Sequence, residues 1–222
     1  MYSPVKIDIL TLFHNGRELV DPYLDCVSRL SPLLPFTLHL LDNGSTDGTA
    51  DLLAARAPML DFPLRLNRSI ENQGFAGGMN LLVAQALSDF LFVLNSDAYA
   101  EADCIEHLVH RAMMDDRIGI CEARQAPEEH RKAVDLATGE TTWCSGAGAL
   151  IRRKAFEEVG RFDAKLFFMY CEDIDLSWKM WMKKWKCVYV PKAVVVHHVD
   201  RKSHVNAYSR ERRPFEHYFS FR

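Results

Sequence analysis

The 222-residue sequence predicts an α/β fold: a mostly parallel sheet flanked by helices. Two observations lead there. Uninterrupted apolar runs of strand length recur through the first half, as expected of strands buried on both faces. Between them lie stretches whose apolar residues return at helical spacing. Strands alternating with helices make βαβ units and a parallel sheet.

Taken in order, residues 7–13 are apolar enough for a buried strand, 36–41 form a second, 64–66 a weaker third, and 90–94 (FLFVL) the clearest. Residues 47–57, 76–87 and 101–114 carry helical apolar spacing. The second half is less regular. Residues 133–136 and 141–151 flank Ala137-Thr138-Gly139-Glu140, which reads as a hairpin turn. A short helix over 153–159 ends at Gly160. A longer one over 172–184 starts with acids and ends with lysines, as the macrodipole favours. Short strands follow at 188–190 and 194–196, around Pro191. The charged 201–222 tail ends in aromatics.

Composition bounds the function. With 48% hydrophobic and 26% charged residues, the chain is neither disordered nor fibrous. A net charge of -3 gives no global attraction to nucleic acid. Cysteines 26, 104, 121, 144, 171 and 187 are widely spaced without C-x-x-C, and read as buried free thiols in a reducing compartment. Residues 1–6 lack a signal-peptide layout, and no apolar run reaches 18 residues. A cytoplasmic protein is expected.

Four constellations carry chemistry. Asp42-Asn43-Gly44-Ser45-Thr46-Asp47-Gly48-Thr49 follows a strand and opens a helix. Ser45, Thr46 and Asp47 can cap that helix, and Asp42 at the strand end can accept from a base N–H or a ribose hydroxyl. A capped turn with no ligand would look the same. Glu71 to Asn80 places Gly74, Gly77 and Gly78 ahead of a helix. Backbone N–H groups there could meet a diphosphate, or the glycines could serve close helix–strand packing. Leu94-Asn95-Ser96-Asp97 puts a carboxylate after the clearest strand, where Mg²⁺ or Mn²⁺ is the natural partner and an Asx turn the plain alternative. Finally, Phe167-Phe168-Met169-Tyr170-Cys171 delivers Glu172, Asp173 and Asp175. Low polarity and neighbouring carboxylates raise a carboxyl pKa, which suits a general base; acids also cap a helix start. His197 and His198 follow the last strand and point to opposite faces, so at most one can ligate a metal.

Together and in this order, the strings LLDNGSTDGT, NQGFAGGMN, LNSDA, SGAGALIRRKAFEEVGRFDAKLFFMYCEDIDLSWK and VPKAVVVHH resemble the family 2 glycosyltransferases, in the branch of rhamnosyl- and galactofuranosyltransferase-like enzymes. The resemblance covers about residues 6 to 198. It implies a single GT-A domain over 1–222: a Rossmann-like nucleotide-binding half over about 1–100, an acceptor and catalytic half over about 101–200 with a smaller antiparallel portion, and the tail. It implies inverting transfer from a UDP- or dTDP-linked sugar to a saccharide or lipid-linked saccharide, in cell-surface polysaccharide or glycolipid assembly. By resemblance, Asp97 holds a divalent metal, Mg²⁺ or Mn²⁺, with Asn95 in place of the motif's first acid. Thr11 and Asp42 border the base, and Asn72, Gly74 and Gly78 belong to the donor loop. Asp173 is the catalytic base with Glu172 its companion. His197 is a metal ligand, with His198 as second choice.

Three departures stand out: Lys179 where arginine is frequent, the charged stretch after His198, and the early end of the chain. The tail's Arg210, Arg212, Arg213, Phe215, Tyr218 and Phe219 suit either a solvated helix or peripheral contact at the inner face of a membrane. Trp178, Trp181 and Trp185 are expected in the core. Two rival functions remain at this point: a nucleotidyltransferase that forms nucleotide sugars, and a non-catalytic nucleotide-binding module.

Overall fold

The computed structural model describes residues 5–31 and 33–197. His198 and the tail lie outside the described residues. One eight-stranded sheet runs through the structure in the order β3-β2-β1-β4-β7-β6-β8-β5. Its strands are β1 (Ile7–Phe13), β2 (Phe36–Asn43), β3 (Leu64–Ser69), β4 (Phe90–Leu94), β5 (Ala98–Ala100), β6 (Ile118–Ala126), β7 (Gly148–Arg152) and β8 (Lys186–His197). The helices are α1 (Val20–Ser28), α2 (Thr49–Arg56), α3 (Gly74–Gln85), α4 (Cys104–Met113), α5 (Arg153–Glu158) and α6 (Glu172–Met182).

The first four strands pair in parallel, as the apolar runs predict. Strand β7 lies antiparallel between β4 and β6, and β5 closes the edge antiparallel to β8, giving the smaller antiparallel portion. The sheet separates two apolar cores. One gathers Phe13, Tyr23, Leu53 and Phe92 with α1, α2 and α4. The other gathers Met79, Leu82, Phe156 and Met180 with α3, α5 and α6.

Several expectations need correction. Helix α1 was hidden because Pro22 looks like a breaker, yet it stands in the first turn, where no backbone donor is missed. Strand β6 was hidden by Glu122, Arg124 and Gln125, of which Glu122 and Gln125 are buried. The strands predicted on either side of Pro191 are one strand. Its register against β6 jumps from Ala123↔Val190 to Arg124↔Val194, so Pro191 sits in a bulge that needs no ladder donor. The expected hairpin shrinks to one bridge, Val134↔Thr141, with Asp135 accepting from the N–H of Ala137 and Thr138. Only Trp185 is core; Trp178 and Trp181 are 60% and 50% exposed. All six cysteines are free, five buried and Cys171 partly exposed.

A buried carboxylate fastens the parallel half. Asp8 on β1 accepts from His39 Nε2 of β2 (3.1 Å) and from the N–H groups of Leu87 (2.6 Å) and Ser88 (2.7 Å). Burial pushes its pKa up, but these hydrogen bonds outweigh burial and hold it at about 2. A carboxyl held below its unfolded pKa stabilises the fold above that pKa, and the contribution fades as pH falls toward 2. The shift corresponds to about 2 kcal/mol. Asp8→Asn should therefore lose about that much at pH 7 in urea unfolding, with a smaller deficit at pH 3; a deficit independent of pH would mean the charge is not what matters.

Candidate functional site

The C-terminal ends of the parallel strands place the first group of residues. Strand β2 ends in Asp42, whose side chain is 1% exposed. Among the described residues neither of its carboxylate oxygens has a hydrogen-bond partner, and Arg68 Nε lies 3.7 Å away. A buried carboxylate that accepts nothing is costly and is suited to a ligand that donates. Beside it runs a cleft of about 230 Å³ lined by Asp42, Ala50, Asp51, Ala54, Asn67 and Arg68 among others. Of the three expected caps of α2, Asp47 alone reaches the helix, accepting from Thr49 N–H (3.0 Å). Ser45 accepts from Asn15 N–H, and Thr46 donates to the Asn15 side chain.

Thr11 is placed differently from the expectation. Its side chain is wholly buried, and its hydroxyl is spent on Tyr23 and on the Leu94 carbonyl (2.8 Å), so it cannot offer that group to a base. It braces β1 against the end of β4 instead. The residues expected in a donor loop also have structural duties, and Gly74, Gly77 and Gly78 stand within α3 rather than ahead of it. Asn72 Oδ1 accepts from Asn43 Nδ2 (2.9 Å) and from Gly74 N–H (2.8 Å), which shapes the loop. Gly74 has φ +69°, and a Cβ there would lie 2.2 Å from the Phe168 carbonyl oxygen. A Cβ on Gly78 would lie 2.1 Å from Leu12 of β1, so that glycine permits close helix–strand packing.

Asn95 to Ala98 form a turn, closed by Ala98 N–H on Asn95 O (3.1 Å). Strand β5 then pairs Ala98 with His197. That pairing sets Asp97 Oδ1 3.3 Å from His197 Nε2. Gln125 Oε1 takes the other ring nitrogen, Nδ1, at 3.0 Å. In the tautomer that donates Nδ1–H to Gln125, the Nε2 lone pair faces the Asp97 carboxylate. A cation bound between them would resolve that opposition, with the Gln125 oxygen fixing the ring for it. The Asn95 side-chain oxygen close by in sequence is buried without a partner. Among the described residues there is no cluster of three or more His, Cys, Asp or Glu suited to a metal. Further positions would fall to phosphate oxygens and water. Sequence reasoning missed Gln125, which carries no motif.

Asp173, near the start of α6, is partly buried. Its carboxylate accepts from Gly146 N–H (3.1 Å) and Ile174 N–H (2.8 Å). Burial raises its pKa, opposed by those two donors and by nearby His130. The two residues before the helix, Tyr170 and Cys171, both have left-handed backbones (φ +69° and +65°), a strained approach of the kind found at functional sites. Gly146 is the missed partner here, and its neighbour matters as much: Asn95 N–H donates to Ala147 O (3.1 Å). Two consecutive residues thus tie the Asp97 turn to the Asp173 helix. A buried pair, Glu122 and Lys132, lies beside this region, with Lys132 Nζ 4.5 Å from the Trp143 ring centroid. Lys179, unusual for its position, pairs with Asp175 (2.9 Å) and the Arg161 carbonyl (2.7 Å).

Glu172 does not support Asp173 in the way expected. It is 6% exposed with Oε2 unpartnered, and burial, then Asp173, pushes its pKa up to about 8. It is therefore mostly a neutral acid at pH 7, and burial rather than Glu172's charge raises Asp173.

Residues 8–160 match Glycosyl transferase family 2, and 121–214 match Glycosyltransferase like family 2. The chain is 30% identical over 238 residues to the N-acetylglucosaminyl-diphospho-decaprenol L-rhamnosyltransferase of Mycobacterium tuberculosis, covering 86% of this chain and 76% of that one. Its fold superimposes on the mannosyltransferase PcManGT from Pyrobaculum calidifontis, solved with GDP-Man and Mn²⁺, at TM-score 0.77 and 20% identity, over 91% of this chain and 60% of that one. It also superimposes on GalNAc-T7 with UDP, GalNAc and Mn²⁺, at TM-score 0.75 and 17% identity, over 88% and 44%. The sheet and its flanking helices are those of the GT-A glycosyltransferases.

The protonated Glu172 has a measurable consequence. Between its ordinary value of 4.5 and about 8, the unfolded chain gives up this proton while the folded chain keeps it, so stability falls as pH rises through that window. Glu172→Gln removes the penalty. It should melt at least about 4 °C above the parent at pH 8 and match it near pH 4. An equal difference at both pH values would show that Glu172 is ionised in the fold.

Proposed function

The chain belongs to glycosyl transferase family 2, and from that premise we propose a metal-dependent, inverting transfer. The sugar moves from a nucleoside diphosphate, UDP or dTDP, to a hydroxyl of a saccharide or lipid-linked saccharide. Such a reaction builds cell-surface polysaccharide or glycolipid, with the enzyme at the inner face of the membrane. The Mycobacterium relative supports the acceptor class, since its name specifies N-acetylglucosaminyl-diphospho-decaprenol. Among the described residues no helix is long and apolar enough to cross a membrane.

The observation that carries the reading is the pair Gly146 and Ala147. One holds the Asp173 carboxylate and the other holds Asn95 at the Asp97 turn. These two adjacent contacts support reading a base and a metal pair as parts of one site, which a binding module has no use for. Asp97 and His197 would hold the cation, with Gln125 orienting the ring. When bound, a divalent cation offsets charge on the leaving nucleoside diphosphate. Asp42 receives a donor hydrogen from the base or ribose, and the bent loop of Asn72 and Gly74 closes the donor side. Asp173 is held by two N–H groups in one orientation. Burial keeps it basic enough to take the proton from the acceptor hydroxyl as that oxygen attacks the anomeric carbon from the far side. One displacement inverts the anomeric centre. Neutral Glu172 beside the base adds no negative charge to repel the nucleophile.

Two variants test the roles. Asp173→Asn keeps the shape and loses the base, so transfer should fall ~10²-fold or more while donor affinity stays within a few-fold. Normal turnover in that variant, or a product that retains the donor's configuration, would overturn the single displacement. Asp97→Ala should abolish the Mn²⁺ dependence of UDP or dTDP binding, measured by calorimetry with and without the ion; unchanged dependence would take Asp97 out of the metal site.

A further inference from the structure

Helix α6 has two apolar faces. The inner one buries Glu172, Leu176, Ser177 and Met180 against the sheet. The outer face should be polar, as on most surface helices. Instead Trp178 is 60% exposed, Trp181 50% and Met182 75%. Ile174, one turn before Trp178, extends the same stripe. The four side chains span about 12 Å of helix. Exposed tryptophan is costly in water, and two in one stripe mark a surface that meets something.

The setting identifies what. Lys183 and Lys184 follow directly, both exposed and in no ion pair among the described residues. Exposed Arg117 donates to both of their carbonyls, adding a third cation at that end. The acid on this helix surface, Asp175, is already paired with Lys179. Indole rings with flanking lysines suit the headgroup layer of a bilayer, where the ring inserts and the charge stays wet. A second copy of the chain is a poorer fit: four side chains fall short of the roughly 800 Å² per partner of a stable protein interface.

We infer that the outer face of α6 seats the protein on an anionic lipid bilayer through Trp178, Trp181 and Met182, with Lys183, Lys184 and Arg117 meeting the headgroups. The same helix begins at Asp173, so the docked surface and the proposed base share one rigid element.

Flotation with phosphatidylcholine vesicles, with and without 30% phosphatidylglycerol, tests this on the full chain without donor, so transfer activity does not enter the result. The parent should float with the anionic vesicles and much less with neutral ones. Trp178→Ala with Trp181→Ala should weaken partitioning about tenfold or more. Lys183→Glu with Lys184→Glu should weaken it at least about fivefold for each charge removed, and the loss should shrink in high salt. All four positions are exposed, so the tryptophan pair should keep the parent's melting temperature, and the lysine pair, which reverses charge at the end of α6, should lower it by only about a few degrees. The charge pair supplies an independent reading if the tryptophan pair does not fold. Equal flotation of parent and variants, no flotation of the parent, or a tryptophan-dependent dimer in sedimentation without vesicle binding would each overturn the inference.

Discussion

Two neighbouring residues between β6 and β7 hold the site together. Gly146 gives its N–H to Asp173, and Ala147 gives its carbonyl to Asn95. Strand β7 begins one residue later, paired with both β4 and β6. The link therefore has no slack: the position of β7 in the sheet sets both contacts. A second fastening acts from α3. The Phe168 carbonyl accepts the Phe75 N–H at 2.7 Å, and Asn80 exchanges hydrogen bonds with Phe162 (2.8 and 3.3 Å). The segment leading into α6 is thus pinned along α3. Glycine at 74 is required because any Cβ would strike the oxygen that makes the pin.

The buried carboxylates show how the same chemical group is put to different uses by its neighbours. Asp8 has three donors and stays charged as a fastening. Glu172 has an unpartnered oxygen and stays protonated to about pH 8. Asp173 lies between, with two N–H donors opposing its burial. Asp42 has a buried carboxylate with neither oxygen bonded and a cleft beside it. Polar groups left unmet in a well-packed fold cost stability, and Asp42, Asn95 and Glu172 are three such groups that coincide with the motifs, which makes their setting a functional signal.

The legible parts of the sequence were those governed by local pattern. Strands β1 and β4, buried on both sides of the sheet, are continuous apolar runs, and their predicted limits agree with the structure. Helix α6 announced itself through its end charges. The four motifs also marked Asp42, Asp97 and Asp173 as carboxylates of interest, and the structure gives each an unusual setting. What stayed hidden depends on distant partners. Strand β6 carries charged residues that look exposed until Lys132 is found against Glu122. Trp178 and Trp181 read as core because tryptophan usually is, and only the turn of α6 shows that they face outward. Thr11 was expected beside the base through the family resemblance alone; the partners Tyr23 and Leu94 that occupy its hydroxyl are invisible in sequence.

The bulge at Pro191 shows how a local irregularity sets a distant contact. Before it, Ala123 pairs with Val190; after it, Arg124 pairs with Val194, so β8 spends three more residues than β6 at that point. Side chains on a strand alternate faces, and an odd insertion exchanges them. Had β8 run on without the bulge, Gln125 would lie opposite Lys192, and His197 would point to the other face. With it, Gln125 pairs with Val195, and His197, two residues on, shares the Gln125 face. Diagonal neighbours of this kind are within reach of long side chains, and the observed 3.0 Å contact is one. The same shift lets His197 pair with Ala98, which brings Asp97 alongside. A proline that donates no ladder bond is thus placed where the ladder must be broken, and breaking it there is what joins two segments about a hundred residues apart into one candidate metal pair.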